Sequence, residues 1–133
     1  MSDRLKIIVV DDDVTTLRVL GAALAQKGHQ VIERETAIGT TLAIMREKPD
    51  VVLLDVRMPG LSGDKLASLI DQGAGPAPVV ILHSSSSLSE LEHLARVSGA
   101  SGVIRKTADP AEFLACFDEI VSAHRRPVAR RPA

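Results

Sequence analysis

Val51-Val52-Leu53-Leu54 runs without interruption into a single carboxylate, Asp55, and Met58-Pro59-Gly60 follows almost at once. Four consecutive apolar residues read as a strand buried on both faces, the condition of a central strand in a parallel sheet. Met58-Pro59-Gly60 stops that strand, because proline cannot donate to a ladder and glycine permits a tight turn. Asp55 is therefore expected at the carboxyl end of a central strand. In open α/β sheets that edge is where ligands bind.

The rest of the chain falls into step around this stretch. Leu5–Val10 reads as a first strand ending in Asp11-Asp12-Asp13, and a helix follows with Leu17, Leu20, Ala23 and Leu24 on one side. Asp13 or Thr15 can cap that helix, and Lys27-Gly28 ends it. Gln30–Glu33 is a short second strand. Residues 38–47 form a second helix carrying Leu42, Ile44 and Met45, and Pro49 ends it. After Asp55, a loop over 59–63 leads to a third helix at 65–70, and the Gly- and Pro-rich segment 71–78 is the clearest flexible connection. Val79–Leu82 is the fourth strand, ending in His83 and four serines. A fourth helix spans 89–97, a fifth strand runs from Gly102 to Lys106, and Asp109-Pro110 opens a fifth helix with aspartate at the N-cap and proline at N1. Five βα units in strict alternation imply an α/β domain: a doubly wound parallel sheet with helices on both faces. The flavodoxin-like strand order 2-1-3-4-5 suits five such units.

Composition supports this and narrows the function. A chain of 133 residues matches one domain, here expected over residues 4–124. Two Phe and no Trp or Tyr leave Val, Ile, Leu and Ala to build the core, and argue against base-stacking modules that bind nucleic acid. The lone Cys116 excludes an internal disulfide and is expected as a small core residue of the fifth helix. No apolar run is long enough for a membrane span, and no signal peptide opens the chain, so a cytoplasmic protein with no membrane partner is expected. Residues 125–133 hold four arginines and no acid, while the remainder carries 12 basic and 17 acidic side chains. That terminus reads as a basic, flexible tail.

The strand ends collect a distinctive set of groups. The first strand supplies Asp11, Asp12 and Asp13, the third Asp55, the fourth His83 and Ser84, and the fifth Lys106. In the order 2-1-3-4-5 these converge on one crevice. Clustered carboxylates repel one another, a divalent cation relieves the repulsion, and an all-oxygen donor set favours Mg²⁺. A lysine supplies fixed positive charge, and a serine hydroxyl can hydrogen-bond a phosphoryl oxygen. Together they form a clamp for in-line phosphoryl transfer, with a carboxylate as nucleophile.

Val9-Val10-Asp11-Asp12-Asp13, Leu53–Gly60, Gly99-Ala100-Ser101-Gly102 and Lys106 resemble, in order and spacing, the receiver domain of response regulators. The resemblance implies a stand-alone receiver in a two-component phosphorelay. Asp55 would accept a phosphoryl group from a histidine kinase or phosphotransfer protein. Asp12 would ligate Mg²⁺ directly, Asp11 through a bound water, and the Arg57 backbone carbonyl would be a further ligand alongside Asp55. Lys106 would contact the phosphoryl group. Ser84 lies 22 residues before Lys106, the usual family interval for the hydroxyl residue, whereas counting forward from Pro78 reaches His83. Such a domain is a switch and not an enzyme with its own substrate, and it signals to a downstream protein through a changed surface. The alternative is a pseudo-receiver, the same fold used as a phosphorylation-independent interaction module. A haloacid-dehalogenase-like phosphatase fits only the short stretch Asp11–Thr15. Three departures from the family stand out: Thr107 in place of proline, Val103 in place of an aromatic, and the serine run Ser84–Ser87, where Ser85 and Ser87 read as plain linker.

Overall fold

The computed structural model describes residues 4–57, 63–71, 77–106 and 109–124. Five strands and five helices alternate along them: β1 (Lys6–Val10), α1 (Val14–Gln26), β2 (Gln30–Arg34), α2 (Thr40–Glu47), β3 (Val51–Asp55), α3 (Gly63–Asp71), β4 (Val79–Ser84), α4 (Leu88–Ser98), β5 (Gly102–Arg105) and α5 (Pro110–His124). The strands form one parallel sheet in the order β2-β1-β3-β4-β5, as expected. The expected turn at Met58-Pro59-Gly60, Thr107 and the arginine-bearing tail lie outside the described residues.

The pleat sorts the apolar runs into two cores. Ile8, Val10, Val52, Leu54, Val80 and Leu82 face one side, where α3 contributes Leu66, Ala67 and Ile70 and α4 contributes Leu91. Ile7, Val9, Val51, Leu53, Val79 and Ile81 face the other, against Leu17, Leu20 and Leu24 of α1 and Phe113 and Phe117 of α5. β3 is buried at every residue, which is why its sequence shows no alternation. The two phenylalanines lie adjacent, with ring centroids 6.1 Å apart, and they fill the layer between α5 and the sheet.

Several boundaries and environments differ from expectation. α2 begins at Thr40, because Gly39 sits at φ +81° and the Thr40 hydroxyl donates back to the Thr36 carbonyl at 3.2 Å, holding residues 36–39 in a turn. It turns Thr40 and Ala43 inward, leaving Leu42 58% and Met45 68% exposed. Cys116 is exposed and not in the core, because Phe113 and Phe117, four residues apart, set the inward face of α5 and Cys116 lies about 80° from the centre of that face. β4 extends through His83 to Ser84. Of the two serines expected as plain linker, Ser87 is not one: it caps α4 by accepting a bond from the Glu90 amide at 3.3 Å, while Ser85 is exposed and Ser86 between them is buried.

Candidate functional site

Each site residue is positioned where a strand runs out. Asp11 follows β1, and its amide still pairs with the Arg34 carbonyl of β2. Its Oδ1 accepts the Asp13 amide at 2.9 Å, which turns the chain toward α1. Asp13, one of the two cap candidates, is the N-cap: its carboxylate accepts the Thr15 amide at 3.0 Å and the Thr16 hydroxyl at 3.0 Å. The Thr16 hydroxyl bond is the main reason that the Asp13 pKa lies below the ordinary range. Asp55 ends β3 and Ser84 ends β4, while Lys106 lies one residue past β5. The His83 carbonyl accepts the Val56 amide at 3.2 Å, and the Ser84 carbonyl accepts the Lys106 amide at 2.9 Å. The last two carbonyls of β4 therefore hold the backbones that follow Asp55 and carry Lys106.

The side chains meet in the crevice above these ends. Carboxylate oxygens of Asp11, Asp12 and Asp55 lie within 4.8 Å of one another. Asp11 and Asp55 are buried, while Asp12 is exposed to incoming ligands. The Lys106 ammonium stands 3.1 Å from Asp11 Oδ2 and 3.3 Å from Asp55 Oδ1. The Arg57 amide also donates to Asp55 Oδ1, at 3.3 Å. Burial, and after it the neighbouring Asp11 charge, push Asp55 up to about 6, against the pull of Lys106 and the Arg57 amide. Burial works against the charge on Lys106, yet Asp11 and Asp55 outweigh it and hold its pKa above the ordinary lysine value.

Ser84 is buried, and its hydroxyl lies 3.2 Å from the Ser86 hydroxyl and accepts the Ser86 amide at 3.2 Å. His83, the other candidate for the hydroxyl position, points into the core on the α1 and α5 side. It meets Phe113 edge-on at 5.8 Å, and burial, then Lys106, pull its pKa down to about 4. It packs as a neutral core residue. His29, which suggested no role in the sequence, accepts the Leu5 amide through Nδ1 at 3.1 Å at the far end of the sheet.

The donor set suits Mg²⁺. All the converging ligands are carboxylate oxygens, and Asp11 Oδ2 is buried with no hydrogen bond among the described residues, compensated there by the Lys106 charge. Among the described residues no helix is long and apolar enough to cross a membrane.

A five-stranded parallel sheet in the order 2-1-3-4-5, with an acidic cluster and a lysine at its carboxyl edge, defines a flavodoxin-like α/β domain with a charged site where such sheets bind ligands. The chain belongs to the response regulator receiver domain family, whose model matches residues 7–118. It is 30% identical over 119 residues to protein PilH of Pseudomonas aeruginosa, covering 88% of this chain and 98% of PilH. It is 36% identical over 110 residues to the transcriptional regulatory protein KdpE of Mycobacterium tuberculosis, covering 82% of this chain and 47% of KdpE. Among solved structures, the signal receiver domain of the putative response regulator NarL from Mycobacterium tuberculosis superposes with a TM-score of 0.80 at 25% identity, over 92% of this chain and all of that one. The chemotaxis response regulator CheY4 of Vibrio cholerae shares the fold with a TM-score of 0.79 at 18% identity, over 89% of this chain and 99% of that one.

Proposed function

We propose that this receiver accepts a phosphoryl group on Asp55 from the phosphohistidine of a histidine kinase or phosphotransfer protein, and signals through an altered protein-binding surface. The observation that carries the proposal is the Lys106 ammonium shared between Asp11 and Asp55 beside a third carboxylate, Asp12. In the transfer an Asp55 oxygen attacks phosphorus in line, the phosphorus–nitrogen bond breaks, and the histidine leaves with its electron pair. Lys106, already charged and in place, shifts its attraction from the Asp55 carboxylate to the phosphoryl oxygens. Asp11, Asp12, Asp55 and the Arg57 carbonyl are the groups that would hold Mg²⁺, whose charge offsets that of the transferring group. The Ser84 hydroxyl donates to a phosphoryl oxygen once it turns toward Asp55. The new group adds close to two negative charges, and the α4-β5-α5 surface changes with it for a downstream protein to read.

In this reading the chain is a switch with no substrate of its own to turn over, and it works in the cytoplasm, where its kinase presents the phosphohistidine. Incubation with acetyl phosphate and Mg²⁺, followed by intact mass measurement, tests it. The wild type gains one phosphoryl group, and Asp55→Asn gains none. No gain, or equal gain in the variant, refutes it. The pseudo-receiver alternative requires that no Mg²⁺ binding be abolished by Asp12→Ala, whereas the acidic cluster here requires that it be.

A further inference from the structure

The serine run after β4 does something that the acidic cluster does not require. Among the described residues, both hydrogen-bond partners of the Ser84 hydroxyl belong to Ser86: its amide donates at 3.2 Å and its own hydroxyl stands 3.2 Å away. Ser84 and Ser86 are both buried, so these bonds form out of competition with bulk water. The Ser84 backbone is tied to β5, paired with Arg105 in the sheet and with its carbonyl accepting the Lys106 amide at 2.9 Å. Its side chain can still rotate about χ1. One residue further on, Ser87 caps α4.

We infer that Ser86 is a positioning residue: it holds the Ser84 hydroxyl in a resting orientation that must be broken before the hydroxyl can reach a phosphoryl group on Asp55. The inference rests on the proposed phosphoryl acceptance at Asp55. Turning Ser84 toward a phosphoryl oxygen breaks its contacts with Ser86. The Ser86 amide and hydroxyl then need new partners, so the short segment between Ser84 and the Ser87 cap rearranges. A ligand shifts such an equilibrium only by its differential affinity for the two orientations. Removing the Ser86 hydroxyl weakens the resting orientation and so favours the turned one.

The test uses beryllium fluoride with Mg²⁺ as a phosphoryl mimic on the full chain, with binding followed by ¹⁹F NMR. Ser86→Ala is expected to tighten apparent binding roughly fivefold, the scale of one net hydrogen bond, and Ser86→Thr, which restores a hydroxyl, to return it toward wild type. In a Ser84→Ala background the Ser86→Ala change is expected to lose its effect, which a merely structural contribution would not do. Unchanged or weaker binding in Ser86→Ala, or an equal effect with Ser84 absent, overturns the inference while leaving phosphoryl acceptance standing. Wild-type protein that fails to bind the mimic, or binds it equally as Asp55→Asn, overturns both.

Discussion

Lys106 settles the electrostatics of the site residue by residue. Two buried carboxylates, Asp11 and Asp55, face one ammonium that is itself only partly exposed. Removing one member of such a set leaves charge in a poorly solvated place, which costs more than an exposed ion pair is worth. Lys106→Met is therefore expected to destabilise the metal-free protein at pH 7.5 by about 1–3 kcal/mol, with added Mg²⁺ recovering part of the loss. Urea unfolding by circular dichroism measures this, since the chain has no Trp or Tyr to report by fluorescence. An unchanged midpoint would show that Lys106 is a solvated charge. Asp55 differs from its neighbour Asp13 in the same way. Asp55 is buried beside another carboxylate and is pushed up to about 6, while Asp13, exposed and hydrogen-bonded to Thr16, is held low. The first is the carboxylate on which the proposed phosphoryl transfer rests, and the second caps a helix.

At the scale of elements, α5 is fixed to the sheet by a close approach at Gly102. A β-carbon there would stand 2.9 Å from Ile120 Cδ1 and 3.0 Å from both Cγ atoms, so the whole side chain obstructs it. Gly102→Ala is expected to cost about 1–3 kcal/mol by overpacking, and Ile120→Val in the same chain to recover part of it. A double-mutant cycle from urea midpoints checks this, and simple additivity would place the strain elsewhere. Gly21 makes the useful contrast. The atoms nearest its added β-carbon are the end of the Glu33 side chain, which can swing aside, so Gly21→Ala should cost far less. The proposed output surface includes β5 and α5, so the Gly102 contact also bears on how far α5 can follow β5.

For the whole molecule, most of the fold was legible because every strand but β2 is an apolar run with a polar break at or near its end, at Asp11, Asp55, His83 or Arg105, and a helix signal follows. Those same breaks exposed the candidate site, since a charge ending a buried strand needs a partner. What stayed hidden involves orientation. Leu42 and Met45 are apolar, but nothing in their spacing says that Thr40 and Ala43 are the ones that turn inward. Cys116 lies among apolar neighbours, and only the observed Phe113–Phe117 face excludes it. The serine run has no period, so its bonds to Ser84 and to α4 could not be read from it. His29 was equally silent, and it carries a global consequence. Its Nδ1 accepts the Leu5 amide, and burial lowers its pKa, while Asp118 on α5 opposes that shift. A depressed folded-state pKa contributes stability that is present above the ordinary histidine value of about 6.5 and lost as pH falls through the folded-state value. His29→Ala should therefore cost about 1–2 kcal/mol at pH 7.5, with the deficit narrowing at pH 5. Parallel urea titrations at the two pH values measure it, and a deficit independent of pH would assign the loss to packing on Phe117 alone.

The two carbonyls at the end of β4 act as a common datum for the site. The backbones beside Asp55 and at Lys106 are both hydrogen-bonded to the end of one strand, so the spacing between the Asp55 carboxylate and the Lys106 ammonium is referenced to that strand. In the proposed reading, a signal leaves the site through parts that can move relative to that frame, among them the Ser84 side chain, the segment leading into α4, and β5 with α5. A switch built this way keeps its chemistry in register while its message changes.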